Sequence, residues 1–406
     1  MKKTLIALAA LAATASFAQS SVTLSGLFDL GYRSVAAPET YGDTKGVIGT
    51  GGSATTAILI QGTEEISKGL KATFRYEMNP DLVGGSGLTG TSQSVNSAGT
   101  VYTGANTSAN GYNFLGLESA EIGGIKIGRL NTGTLSAWGV SSVFGTALGS
   151  GYGSAGQFSR FGGTASTFWN TAPTRFNNAV EYQTPNLSGL TARFLFVPKV
   201  NQSSTADTTD LASTSSSASG VQTISANSTG NVVNPGVNRV GVSDLSLAYS
   251  TATLNVMIAQ QKITVGDQGV HALVGVGPSA ATANTVHKFN TLAANYTMGD
   301  LRVHAGMWSE KQNLATPVDV AGRIFGARYA MGNIALMASM ARTDDKSTAN
   351  VDRKISGLGV DYSIGGSKRS TLWARYENRD ANKNISADTN AAGTTKTTAV
   401  GIRHTF

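Results

Sequence analysis

Chemistry in this chain has to be sought among arginines and carboxylates, because the usual catalytic and metal-binding residues are sparse and scattered. Cysteine is absent, which removes disulfides and thiolate ligands. The four histidines, His271, His287, His304 and His404, stand far apart in the sequence, and none has a metal-ligand spacing such as HExxH. His304, with Ser309 nearby, is the one conceivable general base, and a histidine bonded to its surroundings is the simpler account of it. No phosphate-binding loop or nucleic-acid motif occurs, so the reading is of a non-enzyme with no cofactor, no metal and no nucleic-acid partner. What recurs instead is guanidinium and carboxylate at alternate positions. In LKATFRYEM, Lys71, Thr73, Arg75 and Glu77 share one side while Ala72, Phe74, Tyr76 and Met78 share the other. Arg175 likewise stands with Asn177, Ala179 and Glu181, Arg375 with Glu377, and Asp29 with Arg33. Charges fixed on a wall that faces water make and break no bonds. They set a local potential that favours ions of one sign over the other.

The elements that position these charges have a period of two. SVTLSGLFDLGYR puts Val22, Leu24, Phe28, Leu30 and Tyr32 on one side and Thr23, Ser25, Asp29 and Arg33 on the other, the signature of a strand with one apolar face. Similar segments follow near 54–63, 69–79, 111–119, 123–130, 175–185, 189–199, 240–250, 252–262, 286–297, 300–311, 320–330, 333–343, 354–364, 369–379 and 396–406, sixteen in all. Tight turns such as Met298-Gly299, Met331-Gly332 and Gly365-Gly366 alternate with long polar joints, the longest near 131–174 and 200–239. The final strand, KTTAVGIRHTF, places Val400, Ile402, His404 and Phe406 on one face. An exposed aromatic edge of that kind invites aggregation in water and suits a barrel closed in lipid.

Other features agree. Lys2 and Lys3, the apolar run 5–15 and Ser16-Phe17-Ala18 read as a signal peptide over residues 1–18, which leaves one domain over 19–406 and an exported chain. No segment approaches the roughly 20 apolar residues of a membrane helix, and mean hydropathy is −0.05. The expected fold is therefore all-β: a 16-stranded antiparallel transmembrane β-barrel with lipid outside and water inside. A soluble β-sandwich is the alternative, though sandwiches rarely place every long loop at every second joint. One residue breaks the pattern. By strict alternation Arg129 falls with Ile125 and Ile127 on the lipid face, where a guanidinium costs about 2 to 4 kcal/mol. A bulge at Gly128, or an end to the strand there, would turn it inward.

The strings SVTLSGLFDLG, GLKATFRYE, GIKIGRL, RFNNAVEYQTPNLSGL, DYSIGGSKRSTLWARYE and GIRHTF, in that order, resemble the general diffusion porins of Gram-negative outer membranes, in the branch found in β-proteobacteria and neisseriae. The resemblance implies a homotrimer with a water-filled pore in each protomer, a location in the outer membrane among lipid and lipopolysaccharide, and a long third loop folded into the lumen as a constriction. It also implies a pore arginine at Arg129. The chain departs from the family at Ala57 and Gly111, where basic residues are usual.

The loop that the resemblance makes the constriction, 131–174, has no Asp, Glu or Lys; its one charge is Arg160. It carries Trp138, Phe144, Tyr152, Phe158, Phe161, Phe168 and Trp169. Such rings either pin the loop to the wall or line the opening, and Trp138 is the expected lining residue. Facing the loop, Arg75, Arg129 and Arg175, with Arg33 and Asp29 also inward, give the opening a positive excess. The expected function is passive diffusion of small hydrophilic solutes and inorganic anions, with weak anion selectivity. A solute-specific channel with an aromatic eyelet and a barrel-anchored surface adhesin, the latter through the Ser/Thr/Asn-rich stretch 202–231, are the alternatives.

Overall fold

The structure, a computed structural model, describes residues 21–36, 44–80, 82–83, 91–95, 101–105, 111–150, 175–201, 239–265, 285–313, 318–346, 350, 352–366, 368–381 and 393–406. The segment 1–18, Arg160, the five aromatics from Tyr152 to Trp169 and the stretch 202–231 lie outside the described residues. Strands run in chain order as β1 Ser21–Ala36, β2 Thr44–Thr50, β3 Ala57–Ser67, β4 Leu70–Met78, β5 Thr91–Val95, β6 Val101–Ala105, β7 Asn113–Ser119, β8 Gly123–Asn131, β9 Arg175–Gln183 and β10 Leu190–Asn201. They continue as β11 Arg239–Ser250, β12 Leu254–Val265, β13 Thr285–Met298, β14 Leu301–Gln312, β15 Val318–Met331, β16 Ile334–Asp345, β17 Arg353–Ser363, β18 Ser370–Ala381 and β19 Gly393–Thr405. One helix, α1, spans Gly133–Ser141.

Sixteen of these strands form a closed antiparallel sheet. Each pairs with its neighbour in sequence, with β1 joined directly to β3 and β4 directly to β7, and the cylinder shuts where β1 meets β19. The remaining three decorate the loops: β2 pairs with β1, and β5 with β6. Neither these nor α1 follows from the period-two reading. All sixteen segments expected from alternation coincide with barrel strands.

Alternation dictates what each face meets. Along β16 exposed and buried residues alternate without interruption from Ile334 to Asp345. The outward positions include Leu115, Ile127, Met307, Met340 and Leu358, each more than half exposed. Continued around the cylinder, such a belt far exceeds the apolar patch a soluble protein tolerates, and it is stable only against lipid. No described helix is long and apolar enough to cross a membrane; the strands make the crossing. A twelve-residue strand tilted by about 45° spans roughly 29 Å, enough for the apolar band of about 25 Å in such barrels. Inside, Leu130, Phe176, Leu195, Val197, Val242, Ile263 and Phe289 pack as an apolar cluster on the inner wall, so part of the lumen is filled.

Candidate pore lining and constriction

The chain leaves β8 inside the barrel and turns at once into α1. GTLSAWGVS has two glycines and no charge, poor material for an isolated helix, and its ends are supplied with partners instead. Thr132 caps it: its Oγ1 accepts from the Leu135 N–H at 3.1 Å. Asp244 on β11 accepts from the Gly133 N–H at 2.8 Å, placing a carboxylate at the positive end of the helix dipole. At the other end the Val140 carbonyl accepts from Asn295 Nδ2 at 3.1 Å and lies 2.9 Å from His304 Nδ1. His304, the one histidine considered as a base, is thus engaged in holding the loop. Small residues in the wall let α1 and the turn after it approach: a Cβ at Gly306 would lie 2.4 Å from Ser141 Cβ, and one at Gly326 would lie 3.0 Å from Val143.

Beyond α1 the loop crosses to the far side of the wall. Gly149 donates its N–H to Glu377 Oε2 at 2.7 Å and accepts from Ser339 Oγ at 2.8 Å, while the Leu148 N–H reaches the Gly52 carbonyl at 3.3 Å. The aromatics of this stretch serve the attachment. Trp138 is 1% exposed, meets Trp308 edge to face at 5.4 Å and donates Nε1–H to the Gly145 carbonyl. Phe144 is buried beside the Arg375 guanidinium, 5.5 Å from the ring centre. The expectation that Trp138 lines the opening is therefore corrected: a ring sealed between loop and wall touches no passing solute. Trp308 and Trp373, on the inner face of β14 and β18, are buried as well.

The described part of the loop covers β11 to β18 and leaves the wall of β4, β7, β8 and β9 facing it. There Arg75 Nη2 bonds Glu77 Oε2 at 2.7 Å, and Arg175 Nη2 stands 3.7 Å from Glu77 Oε1. The Arg75 guanidinium also lies over the Tyr112 ring at 5.5 Å. Both arginines keep about a quarter of their side chains exposed, 27% and 23%, whereas Glu77 keeps 9%. Beside Arg129 the β8–β9 pairing is irregular, with the extra residue on β9. Gly128 has φ +151°, the β8–β9 register slips between Gly128 and Leu130, and Arg129 Nη1 donates to Asn177 Oδ1 at 2.6 Å. Strict alternation also fails on β9: Asn178 has φ +52° and Phe176 turns into the inner cluster. Gly111, at a usually basic position, has a local reason. A Cβ there would sit 2.4 Å from Glu77 Cγ, so the space is already taken.

Asp29 and Arg33 are placed differently from the expectation. Both are buried, at 0% and 3% exposure, so neither presents a charge to lumen water. Asp29 accepts from the Ser53 and Ala54 N–H groups at 2.7 and 2.9 Å and from Trp373 Nε1 at 2.6 Å. It pins the segment after β2 to the wall. Arg375 and Arg403 both pair with Asp361, at 2.7 and 3.5 Å, Arg379 pairs with Glu377, and Arg193 pairs with Glu181 while reaching the Asn131 carbonyl and Ser136 of the loop. Among the described residues two arginines thus share Asp361, and Arg75 and Arg175 likewise share Glu77, while Arg129 bonds the neutral Asn177. Asp244, Glu377, Asn295 and Ser339, which fix the loop, carried no sequence signal beyond inward parity. Among the described residues no cluster of His, Asp or Glu is arranged to hold a metal.

The sequence matches the Gram-negative porin family over residues 4–405. It is 27% identical to outer membrane porin protein 32 of Delftia acidovorans, with both chains covered in full. Among solved structures, the anion-selective porin from Comamonas acidovorans superimposes with a TM-score of 0.67 at 20% identity, covering 96% of this chain and 100% of that one. The trimer form of OmpT from Vibrio cholerae gives 0.57 at 12% identity, covering 95% and 99%. A closed sixteen-strand barrel with an apolar belt, a loop tethered inside it and a match along nearly its whole length agree on one conclusion: the chain belongs to the Gram-negative porin family and forms a channel of the outer membrane.

Proposed function

We propose that this porin conducts small hydrophilic solutes and ions by passive diffusion through a water-filled opening, that it weakly prefers anions, and that Arg75, Arg129 and Arg175 form the basic side of the constriction. The observation that carries this is the grouping of three partly exposed or half-buried guanidiniums beside one buried carboxylate, Glu77, across from a tethered loop with no acidic residue. Each charge is worth about 1 kcal/mol at about 4 Å from an ion in bulk-like water, and screening limits its reach to about 8 Å at physiological salt. A small excess of that kind biases the current several-fold and excludes neither ion. The Comamonas structure is described as anion-selective, which supports the same sign. Assembly as a homotrimer accords with the trimer form of the Vibrio structure.

The test is a planar-bilayer recording of the purified protein under a salt gradient. The reversal potential should have the sign of anion preference and shrink as salt is raised. Cation preference at low salt would defeat the assignment. Among the described residues, Trp138, Trp308 and Trp373 are buried and do not line an aromatic eyelet.

A further inference from the structure

Two arginines of the inner wall stand apart from the constriction and from the ion pairs around it. Arg302 on β14 and Arg328 on β15 are register partners. Both face the lumen, since each shares parity with wall residues that meet the loop: His304 and Gly306 on β14, Gly326 on β15. Arg302 is exposed and Arg328 half-buried. They stand near the strand ends joined to the tight turns 299–300 and 332–333, hence at the turn-side mouth, which in such barrels opens to the periplasm. Arg75, Arg129 and Arg175 belong to β4, β8 and β9, on the opposite wall of the cylinder.

The charge of this pair is not balanced by the wall. Arg302 Nε donates to Thr297 Oγ1 at 2.9 Å, and Arg328 forms no bond among the described residues. Among those residues no carboxylate pairs with either arginine; Asp361, two strands along from β15, is taken by Arg375 and Arg403. Met337, which faces Arg328 from β16, is apolar and buried. Directly opposed residues on one face of an antiparallel pair have Cβ atoms about 4.5 to 5.5 Å apart, and like charges so placed destabilise a sheet. One inward position further from the mouth lies the end of α1, where Asn295 and His304 meet the Val140 carbonyl. A helix C-terminus carries roughly half a negative charge, so it offsets part of the pair and leaves an excess of about 1.5 positive charges.

The donors left over select the ligand. Arg302 keeps its Nη groups and Arg328 its whole fork, and guanidinium forks grip oxyanions through paired N–H bonds. Two forks one register pair apart suit a group that points oxygens in several directions and brings two negative charges. A tetrahedral phosphate does both, whereas chloride offers charge alone. We propose that Arg302 and Arg328, with the Thr297 hydroxyl beside them, form a phosphate-binding site at the turn-side mouth of the lumen, for inorganic phosphate or the phosphate of a small monoester. The site rests on the reading of the chain as an open channel. It does not depend on the sign of selectivity at Arg75, Arg129 and Arg175.

The test records chloride current through the full-length barrel at about 0.1 M salt, where charges act over about 10 Å. Inorganic phosphate or glycerol phosphate is added at about pH 8, above the second phosphate pKa of about 6 in a monoester. Both share the group that the forks grip, so both should reduce the wild-type current, and R302Q/R328Q should need about tenfold more of either for the same reduction. Lys68→Gln, which removes a charge from a turn on the same side, should leave the block unchanged. Arg328→Lys keeps the charge and loses the fork, so it should hold the reversal potential and weaken the block. In detergent, phosphate should raise the melting temperature of the wild type and not of R302Q/R328Q. That second readout decides the site even where no current flows, an outcome that would defeat the channel reading by itself. If the double variant does not fold, Arg328→Gln alone serves: without phosphate it should melt at or above the wild-type temperature, because it relieves repulsion, and with phosphate it should gain less. A phosphate block no greater than that of chloride at equal ionic strength, a block undiminished in R302Q/R328Q or in Arg328→Lys, or a melting gain that survives the substitutions would each overturn the proposal.

Discussion

The ring of Phe406 occupies the place where a side chain on Gly26 would stand: a Cβ at residue 26 would lie 2.3 Å from Phe406 Cζ and 2.8 Å from the Ala57 carbonyl oxygen. The two residues also exchange backbone hydrogen bonds of 3.1 and 3.0 Å, which extends the seam between β1 and β19 to the last residue. Phe406 further meets Phe28 edge to face at 5.2 Å. The space beside Gly26 is thus filled from within the chain.

Gly26→Ala should therefore destabilise the barrel by about 1 to 3 kcal/mol, the range for overpacking. Phe406→Ala should lower the yield of folded, heat-modifiable barrel. The two changes are coupled through one space, so in a double-mutant cycle the Gly26→Ala cost should shrink in the Phe406→Ala background. Strict additivity, read from band shifts on unheated gels across a temperature series, would show that the ring is not what fills the site.

The attachment of the loop predicts a second outcome. Glu377 holds Gly149 and Asp244 holds the start of α1, each through a buried carboxylate oxygen bonded to a backbone N–H. Replacing either by Ala leaves that N–H without its acceptor, at about 1 to 3 kcal/mol. Because the loop is tied at separate points, one loss should loosen it without expelling it. Single-channel current noise should rise in Glu377→Ala and Asp244→Ala. Traces as quiet as wild type would mean that these bonds do not hold the loop in place.

Trp138 gives a test that separates attachment from lining. With the indole sealed against Trp308, Trp138→Ala should cost about 3 to 5 kcal/mol of stability, as large buried truncations do. The reversal potential, set by charges elsewhere, should not move. A change in the block by ring-bearing solutes at unchanged stability would return Trp138 to the opening.

How much of this could be read beforehand divides along a physical line. Strand parity is local, so LKATFRYEM yields inward Arg75 and Glu77, and the cost of a lipid-facing guanidinium singles out Arg129, beside which the β8–β9 pairing is irregular. Closure of the sheet, the alternation of long and short joints and the lipid-facing belt follow from the same period. What parity cannot supply is the partner. Gly149 bonds Glu377 across 228 positions of sequence, and Asp29 bonds Trp373 across 344. Asp29 and Arg33 were assigned the correct face and the wrong environment, since the segment after β2 covers them. Trp138 misled for a related reason: a ring in a glycine-rich loop looks free until its place on the wall is known. The helix α1 escaped notice because its stability comes from Asp244, Asn295 and the wall, not from its own composition.

The last prediction concerns the carboxylate among the arginines. Glu77 offsets part of the charge of Arg75 and Arg175, so Glu77→Gln should increase anion preference, whereas Arg75→Ala or Arg175→Ala should reduce it and Arg129→Ala should do so without touching Glu77. Structural damage alone would not give opposite signs at adjacent positions. The shifts should be larger at about 0.1 M salt, where the screening length is about 10 Å, than at about 1 M, where it is about 3 Å. Arg302, exposed at the turn end of β14 and bonded to Thr297, should matter less. Zero-current potentials under a salt gradient, taken for each variant at both concentrations, decide the point. If Glu77→Gln and Arg75→Ala shift the potential in the same direction, the cluster acts through packing, and the selective charge lies elsewhere in the pore.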